Sequence, residues 1–204
     1  MAGGWPDNPR MTILKVARLG HPILRGVARE LTSAEILSGP TQRLVQDMKD
    51  TMDDYGGVGL AAPQVHESVQ LVVMEFDDGN ERYEVEQAQP FLVIFNPKIK
   101  VLDDEQAGYW EGCLSVPGLR GYVERPSRIQ VDYLNERAEP VSAAVEGFLA
   151  TVFQHEIDHL DGVLYVDKVA SPEKLAFVEE FARYHAGEDE GDEADESDEA
   201  DEPD

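Results

Sequence analysis

Apolar residues recur every three or four positions in three stretches of the chain, the spacing of one face of a helix. The first stretch runs from Thr41 to Tyr55 and stops at two glycines. The second begins at Gly147 and stops at Gly162, a glycine suited to the position after a helix. The third begins at Ser171, a capping hydroxyl followed by proline and an acid. We therefore predict three helices over these stretches.

Other stretches carry the patterns of β-strands. The predicted strands are apolar runs or alternating segments bounded by turn residues, and they cover Val69–Phe76, Phe91–Phe95, Lys98–Leu102, Arg128–Leu134 and Val141–Val145. Asn96-Pro97 separates the second strand from the third. Strands and helices do not alternate regularly, so we predict an α+β fold with mixed or antiparallel sheets packed around the helix that begins at Gly147.

Charge divides the chain into a body and a tail. The 204 residues have a net charge of −25, and twelve of the 42 acids lie between His185 and Asp204, where there is no Lys or Arg. The rest still carries a net −13, which argues against binding DNA or an anionic membrane, because both need a basic face. We expect a flexible leader at 1–11, one domain at 12–186 and a disordered acidic tail at 187–204.

The compartment follows from the cysteine count and from the distribution of apolar residues. A single cysteine cannot form an internal disulfide, which fits a reducing compartment. The first ten residues have no apolar run like that of a signal peptide. No stretch approaches the ~20 apolar residues of a membrane span. We expect a cytoplasmic protein.

The second predicted helix contains the sequence His-Glu-x-x-His. His155 and His159 lie four residues apart, so both imidazoles face the same side of the helix and can bind one metal ion. Glu156 can then handle protons on a metal-bound water. The alternative is an amphipathic helix with two histidines and surface acids. The motif favours a metal site but does not identify the enzyme.

Two further segments identify a family. One is Glu111-Gly112-Cys113-Leu114-Ser115, which holds the only cysteine, and the other is Gly57-Val58-Gly59-Leu60-Ala61-Ala62-Pro63-Gln64. Together with the His-Glu-x-x-Asp-His-Leu helix they resemble the three hallmark motifs of the peptide deformylases, at every fixed position and in the same order. The resemblance spans roughly Ile13 to Val169, so we expect 12–186 to be a single deformylase-like catalytic domain.

The resemblance implies a reaction and roles for particular residues. The family removes formate from the N-formylmethionine of new polypeptides. Cys113, His155 and His159 would bind one divalent metal, Fe(II) by preference, with nickel, cobalt or zinc as substitutes, and leave a fourth position for water. Glu156 would serve as general base and then as acid. The Gln64 side-chain amide and the Leu114 backbone N–H would stabilise the oxyanion.

A further group of residues is expected to bind the substrate or to support the site. By resemblance, Gly59 and Gly112 contact the peptide backbone, and Glu111 forms an ion pair with Arg125. The alternative for Glu111 is a surface acid. An apolar pocket near the first histidine would be formed by Val58, Phe148, Thr151 and Val152. The alternative for Phe148 and Val152 is core packing, which is compatible with a pocket.

The expected partners are nascent formylated polypeptides, and the enzyme is expected to be a monomer. The family can meet the ribosome through a basic C-terminal extension, but the end of this chain is acidic, so transient ribosome proximity would not involve the tail.

Two other functions compete with this interpretation. A zinc endopeptidase also uses His-Glu-x-x-His, but Tyr165 replaces the third histidine of one large class. A binding protein could use the acidic tail for a basic partner.

Overall fold

A computed structural model of the protein describes residues 12–76 and 89–186. The expected leader at 1–11 and the expected tail at 187–204 lie outside the described residues. The described part contains four α-helices: α1 (Ser33–Ile36), α2 (Gly39–Asp54), α3 (Gly147–Leu160) and α4 (Val178–Tyr184). Short 3₁₀ turns occur at Pro22–Arg25, Ala62–Val65, Tyr165–Asp167 and Pro172–Lys174.

Eight strands form two antiparallel sheets among the described residues. The strands are β1 (Gly59–Ala61), β2 (Leu71–Phe76), β3 (Gln89–Val101), β4 (Gln106–Cys113), β5 (Val116–Pro126), β6 (Arg128–Leu134), β7 (Pro140–Glu146) and β8 (Leu175–Phe177). The larger sheet has the order β1-β2-β3-β6-β7, and the smaller has the order β4-β5-β8. Helix α3 contacts strands of both sheets. The predicted α+β fold with antiparallel sheets packed around a central helix is confirmed.

The larger sheet is buried on both faces. On strand β2, Val72 and Met74 pack towards the cluster that contains α3, while Leu71 and Val73 pack towards the cluster that contains α2. Successive side chains of a strand point to opposite faces, so a strand with a helix on each side must be apolar at every position. This double burial explains the continuous apolar run in the sequence.

Four details differ from the sequence prediction. The Gly57–Gln64 motif, for which no helix or strand was predicted, contains β1 and part of a 3₁₀ turn. The expected break at Asn96-Pro97 is an irregularity within a single strand, β3, where the pairing with β6 shifts between Phe95 and Lys98. Asn96 absorbs the irregularity with a left-handed φ of 50°. Strands β4 and β5 were not predicted at all.

The fourth difference is at the C-terminal end of the described chain. Ser171 caps a 3₁₀ turn rather than a long helix, and its side chain accepts a hydrogen bond from the Glu173 N–H. Residues 175–177 then pair with β5 as strand β8, and α4 begins only at Val178. Backbone pairing with the exposed edge of β5 prevails over local helix propensity, which is a weak preference.

Asn96 connects β3 to the segment that precedes α1, and we expect its loss to destabilise the fold. Its side chain accepts a hydrogen bond from the Leu31 N–H at 2.9 Å and donates one to the Leu31 carbonyl at 2.7 Å. Asn96→Ala leaves both backbone groups unpaired and places alanine at positive φ, so the free energy of unfolding should fall by about 1–3 kcal/mol. Urea denaturation measures the change. Gln130→Ala, which removes only bonds to the exposed Asp132 side chain, is the control, and equal stability of both variants would contradict the prediction.

Candidate metal centre

The structure brings the three predicted metal ligands together. Cys113 is the last residue of β4, and His155 and His159 project from α3; one potential ligand atom from each lies within 4.8 Å of the others. The Cys113 Sγ atom is 3.4 Å from His159 Nε2. These separations allow one ion to reach all three atoms with small side-chain rotations, since metal–ligand distances are about 2.0–2.3 Å.

Both candidate histidines are buried, but their surroundings affect the two rings differently. His155 is 8% exposed and His159 is 1% exposed. Burial lowers the pKa of His159 well below its usual value, so the ring is neutral and keeps a lone pair for a metal. Cys113 is only half-buried, which leaves the site open on the side of the thiol. Burial also opposes the charge of His155, but its hydrogen bonds with Cys113 and Glu111 outweigh burial and raise its pKa well above the usual value, so an ion bound there would replace a proton on this ring. One cysteine and two imidazoles with an open side are the donor set of a catalytic metal site, so the residues present fit the ion.

A buried charge network orients the first histidine. The His155 Nδ1 atom lies 2.7 Å from Glu111 Oε2, so the other ring nitrogen is the one left to face the ligand cluster. The Arg125 guanidinium donates to both oxygens of Glu111, at 2.6 Å and 3.0 Å, and to Asp158 Oδ2 at 2.7 Å. Burial opposes the charge of Glu111, but these hydrogen bonds outweigh it, and the pKa of Glu111 lies below its ordinary value.

The candidate base, Glu156, lies directly against the backbone of Gly59. Glu156 is 5% exposed, and its Oε2 atom has no hydrogen-bond partner in the described part of the chain. A Cβ atom on Gly59 would lie 2.6 Å from the Glu156 Cδ atom, so only glycine leaves room for this carboxyl group. Burial raises the pKa of Glu156 to about 7. The carboxyl group is therefore held beside the ligands without being tied to another residue.

The Gln64 amide is fixed by two neighbours. Its Oε1 atom accepts a hydrogen bond from the Ala61 N–H at 2.7 Å, and its Nε2 atom donates to Ser115 Oγ at 3.2 Å. The same Nε2 atom lies 3.5 Å from Cys113 Sγ. The N–H groups of the amide therefore point towards the ligand cluster. Leu114 is half-buried between the cysteine and the serine.

Sequence reasoning missed the supporting roles of two residues, Ser115 and Tyr165. Ser115 is fully buried, and its backbone N–H points at Cys113 Sγ at 3.4 Å. Tyr165 stacks on the ring of His155, with centroids 6.0 Å apart and planes inclined by 19°, and its hydroxyl donates to the Leu119 carbonyl. Only Ser115 carried a sequence signal, since it belongs to the cysteine motif. The Tyr165 contact is between residues ten apart and depends on the chain reversal after α3.

The predicted pocket residues lie on the first turns of α3, except Val58, which precedes β1. Thr151 and Val152 are buried, and Val152 belongs to the apolar cluster between α3 and the larger sheet. Val58 and Phe148 are partly buried and pack against the same cluster. The Phe148 ring meets the edge of Tyr109, with centroids 5.5 Å apart. Gly112 lies beside Cys113, and a Cβ atom there would be 3.3 Å from Arg120 Nε.

A thiolate and two imidazoles beside a buried carboxyl group and an amide donor belong to the chemistry of metal-dependent hydrolases. The model of the polypeptide deformylase family matches residues 13–175. The chain therefore belongs to the peptide deformylase family, and it is a metallo-hydrolase that removes the formyl group from the N-terminus of nascent polypeptides.

Individual relatives agree with this membership. The chain is 43% identical over 170 residues to a peptide deformylase of Leptospira biflexa, covering 83% of this chain and 95% of the relative. It is similar to peptide deformylase 2 of Ralstonia nicotianae, at 41% identity over 81% of this chain and 87% of the relative. A solved class I type b peptide deformylase from Acinetobacter baumannii, bound to Met-Ala-Ser, superimposes with a TM-score of 0.75 and 37% identity, covering 78% of this chain and 99% of that chain.

One observation bears on the endopeptidase alternative. The family membership accounts for the cysteine and glycine motifs, which the endopeptidase interpretation left unexplained. Helices in the described ranges are all too short or too polar to cross a bilayer.

Among the residues that support the candidate ligands, we expect Arg125 to be the one whose loss most damages the centre. Arg125→Met would remove the guanidinium from the Glu111 carboxylate, which is 4% exposed, and would leave Asp158 paired only with Lys168 among the described residues, at 3.4 Å. Breaking a buried pair costs about 3–5 kcal/mol. The free energy of unfolding, measured in urea, and the metal content per chain should both fall. Arg137→Met is the control, because that side chain is exposed and its ion pair with Glu136 is long at 4.0 Å. A stability loss no larger than the control's would show that the network does not hold the centre.

Proposed function

We propose that Cys113, His155 and His159 bind one divalent ion, Fe(II) by preference, and that this ion takes part in deformylation. Bound there, such an ion would lower the pKa of a water molecule and polarise a carbonyl. Thiolate and imidazole donors also suit nickel, cobalt and zinc. The choice of Fe(II) rests on the family resemblance.

The observation that carries the proposed mechanism is the position of Glu156. Its carboxyl group is buried next to the ligand cluster, with one oxygen free of any described partner. A carboxylate with these properties can accept the proton of an attacking water and deliver it to the leaving amine. The bare backbone of Gly59 allows the side chain to reach this position.

Gln64 and Leu114 are proposed to stabilise the negative charge that develops on the formyl oxygen. The Gln64 amide is preorganised, because its oxygen is bound to the Ala61 N–H and its nitrogen to Ser115 Oγ. Donors that are already oriented stabilise a developing oxyanion without reorganisation. The Leu114 N–H, next to Cys113 in the chain, would supply the second hydrogen bond.

The substrate chain is proposed to bind in extended form between Gly59 and Gly112. Strand β1 is at the end of its sheet and, among the described residues, pairs with β2 alone. An extended peptide can add to such an edge through backbone hydrogen bonds. The first side chain would enter the apolar surroundings of Val58, Phe148, Thr151 and Val152. These residues can fill the core and still form one wall of the pocket.

We also propose the setting in which this chemistry occurs. Residues 12–186 would act as a single catalytic domain, as a monomer in the cytoplasm, on formylated chains leaving the ribosome. The strongly acidic composition of residues 187–204 does not favour docking of that segment on the phosphate backbone of ribosomal RNA.

Substituting Glu156 tests the proposed mechanism. Glu156→Gln keeps the volume of the side chain but cannot accept a proton, so formate release from formyl-Met-Ala should fall by about 10²–10⁴-fold or more. The metal content should stay at the wild-type level. Glu146→Gln changes an exposed carboxylate at the end of β7 and is the matched control. Turnover by the Glu156→Gln variant within a few-fold of the control would remove Glu156 from the mechanism.

The proposed preference for Fe(II) is tested by the response to air. A metal-bound cysteine is held as thiolate, the form that is oxidised, and iron changes its oxidation state more readily than nickel. Protein purified under argon should contain iron, lose activity in air, and be protected by catalase. The nickel-loaded protein should persist. Intact mass would report oxidation of Cys113 independently of activity, and equal air stability of both forms would argue against a redox-labile iron centre.

A further inference from the structure

A groove extends from the cysteine motif to helix α4. It has a volume of about 1030 Å³ and is formed by the N-terminal segment, the turn that follows Cys113, and helix α4. Its inner end includes Gly112, Cys113 and Leu114, so it opens directly beside the metal centre. Helix α4 contributes Val178, Phe181 and Ala182 to the opposite wall.

The groove is basic although the protein is strongly acidic. Lys15, Arg18 and Arg120 line it, and none of the described lining residues is Asp or Glu. Lys15 and Arg18 are exposed and form no ion pair within the described ranges. Arg120 already donates to the Trp110 carbonyl and lies over the Phe181 ring. Lys15 and Arg18 are therefore the cations available to an anionic occupant.

Two histidines extend the same surface. The His21 and His66 rings meet edge to face, with centroids 4.8 Å apart, and both are exposed. His21 Nδ1 accepts a hydrogen bond from the Ile23 N–H at 3.2 Å, so in the neutral ring Nε2 carries the proton and is a donor. This arrangement does not favour a metal, which would need a free lone pair on His21. It adds an N–H donor to a cationic surface and so favours an acidic ligand.

The chain carries a suitable occupant close by. Helix α4 ends at Tyr184, and residues 187–204 contain twelve acids and no Lys or Arg. Eighteen residues can span up to about 60 Å, several times the dimension of the groove, which is on the order of 10 Å. A tethered segment of this length is present at an effective concentration in the millimolar range. Nucleic acid is a poor alternative because the rest of the protein is acidic.

We propose that the acidic segment 187–204 binds in the basic groove of its own chain through Lys15 and Arg18, and there competes with peptide substrate beside Gly112–Leu114. Attraction between exposed charges does not require an ordered segment, and it is screened at distances beyond about 8 Å in physiological salt. The competition rests on the proposed substrate contact at Gly112. The binding itself does not.

Cross-linking of the full chain tests the binding without using activity. A zero-length carbodiimide reagent should join Lys15 to acids of 187–204 at low ionic strength, and 0.5 M NaCl should abolish the product. Lys100, an exposed lysine on β3 outside the groove, is the control and should stay unlinked to the tail. Cross-linking a mixture of ¹⁵N-labelled and unlabelled chains shows whether the tail joined to Lys15 comes from the same chain or from a second copy. Mixed-isotope products would overturn the proposal in favour of a second copy, and absence of the Lys15 product would overturn it altogether.

Kinetics tests the competition. Lys15→Glu/Arg18→Glu in the full chain should lower KM for a formyl-Met peptide with an amidated C-terminus by about threefold or more at low salt, with kcat unchanged, because exposed pairs contribute modestly. The difference should vanish in 0.5 M NaCl. Lys100→Glu/Arg137→Glu has the same charge change away from the groove and should leave KM unaltered. The same KM shift in both double variants would attribute the effect to net charge and contradict occupation of the groove.

Discussion

The buried Arg125 guanidinium connects the elements that carry the candidate metal ligands. Arg125 is 2% exposed on β5, and its partners come from β4 (Glu111) and α3 (Asp158), while Glu111 in turn binds His155. A charge buried this deeply is tolerated only when its partners are in place, because removing one partner leaves an uncompensated ion. The smaller sheet and α3 are therefore held in one relative position.

The carboxylate partners of Arg125 and the candidate ligands lie on the same two elements, β4 and α3. Glu111 and Cys113 both lie on β4 and both reach α3, where Glu111 contacts His155 and Cys113 contacts His159. His155, Asp158 and His159 occupy positions i, i+3 and i+4 of the helix and share one face. The N-terminal segment adds support from behind, since the Ala17 N–H donates to the Gln64 carbonyl and the Leu19 N–H to the Ser115 carbonyl. The three motifs thus converge on one point although they are distant in sequence.

The sequence predicted those elements whose signal is local. Strand β6 was predicted at its observed bounds, and α3 ends as expected, with Gly162 at a φ of 74°. Strands β4 and β5 were missed because glycines interrupt their alternation and because each depends on the other for pairing. The burial of Ser115 and the stacking of Tyr165 depend on the tertiary fold and leave no periodic trace. Helical spacing identified His155, His159 and Glu156, and the family resemblance added Cys113 and the Gln64 amide. Composition and spacing alone left the enzyme class open.

The shortness of strand β1 has a consequence for substrate range. The strand has three residues, all buried, and its outer edge has no strand partner among the described residues. An edge this short offers backbone hydrogen bonds to only the first few residues of a bound chain, and backbone groups are the same in every polypeptide. The side chains of later substrate residues would make no contact with β1 and could not be recognised there. If the substrate adds to this edge as proposed, selectivity would be concentrated at the first side chain, which would suit an enzyme that acts on many different polypeptides.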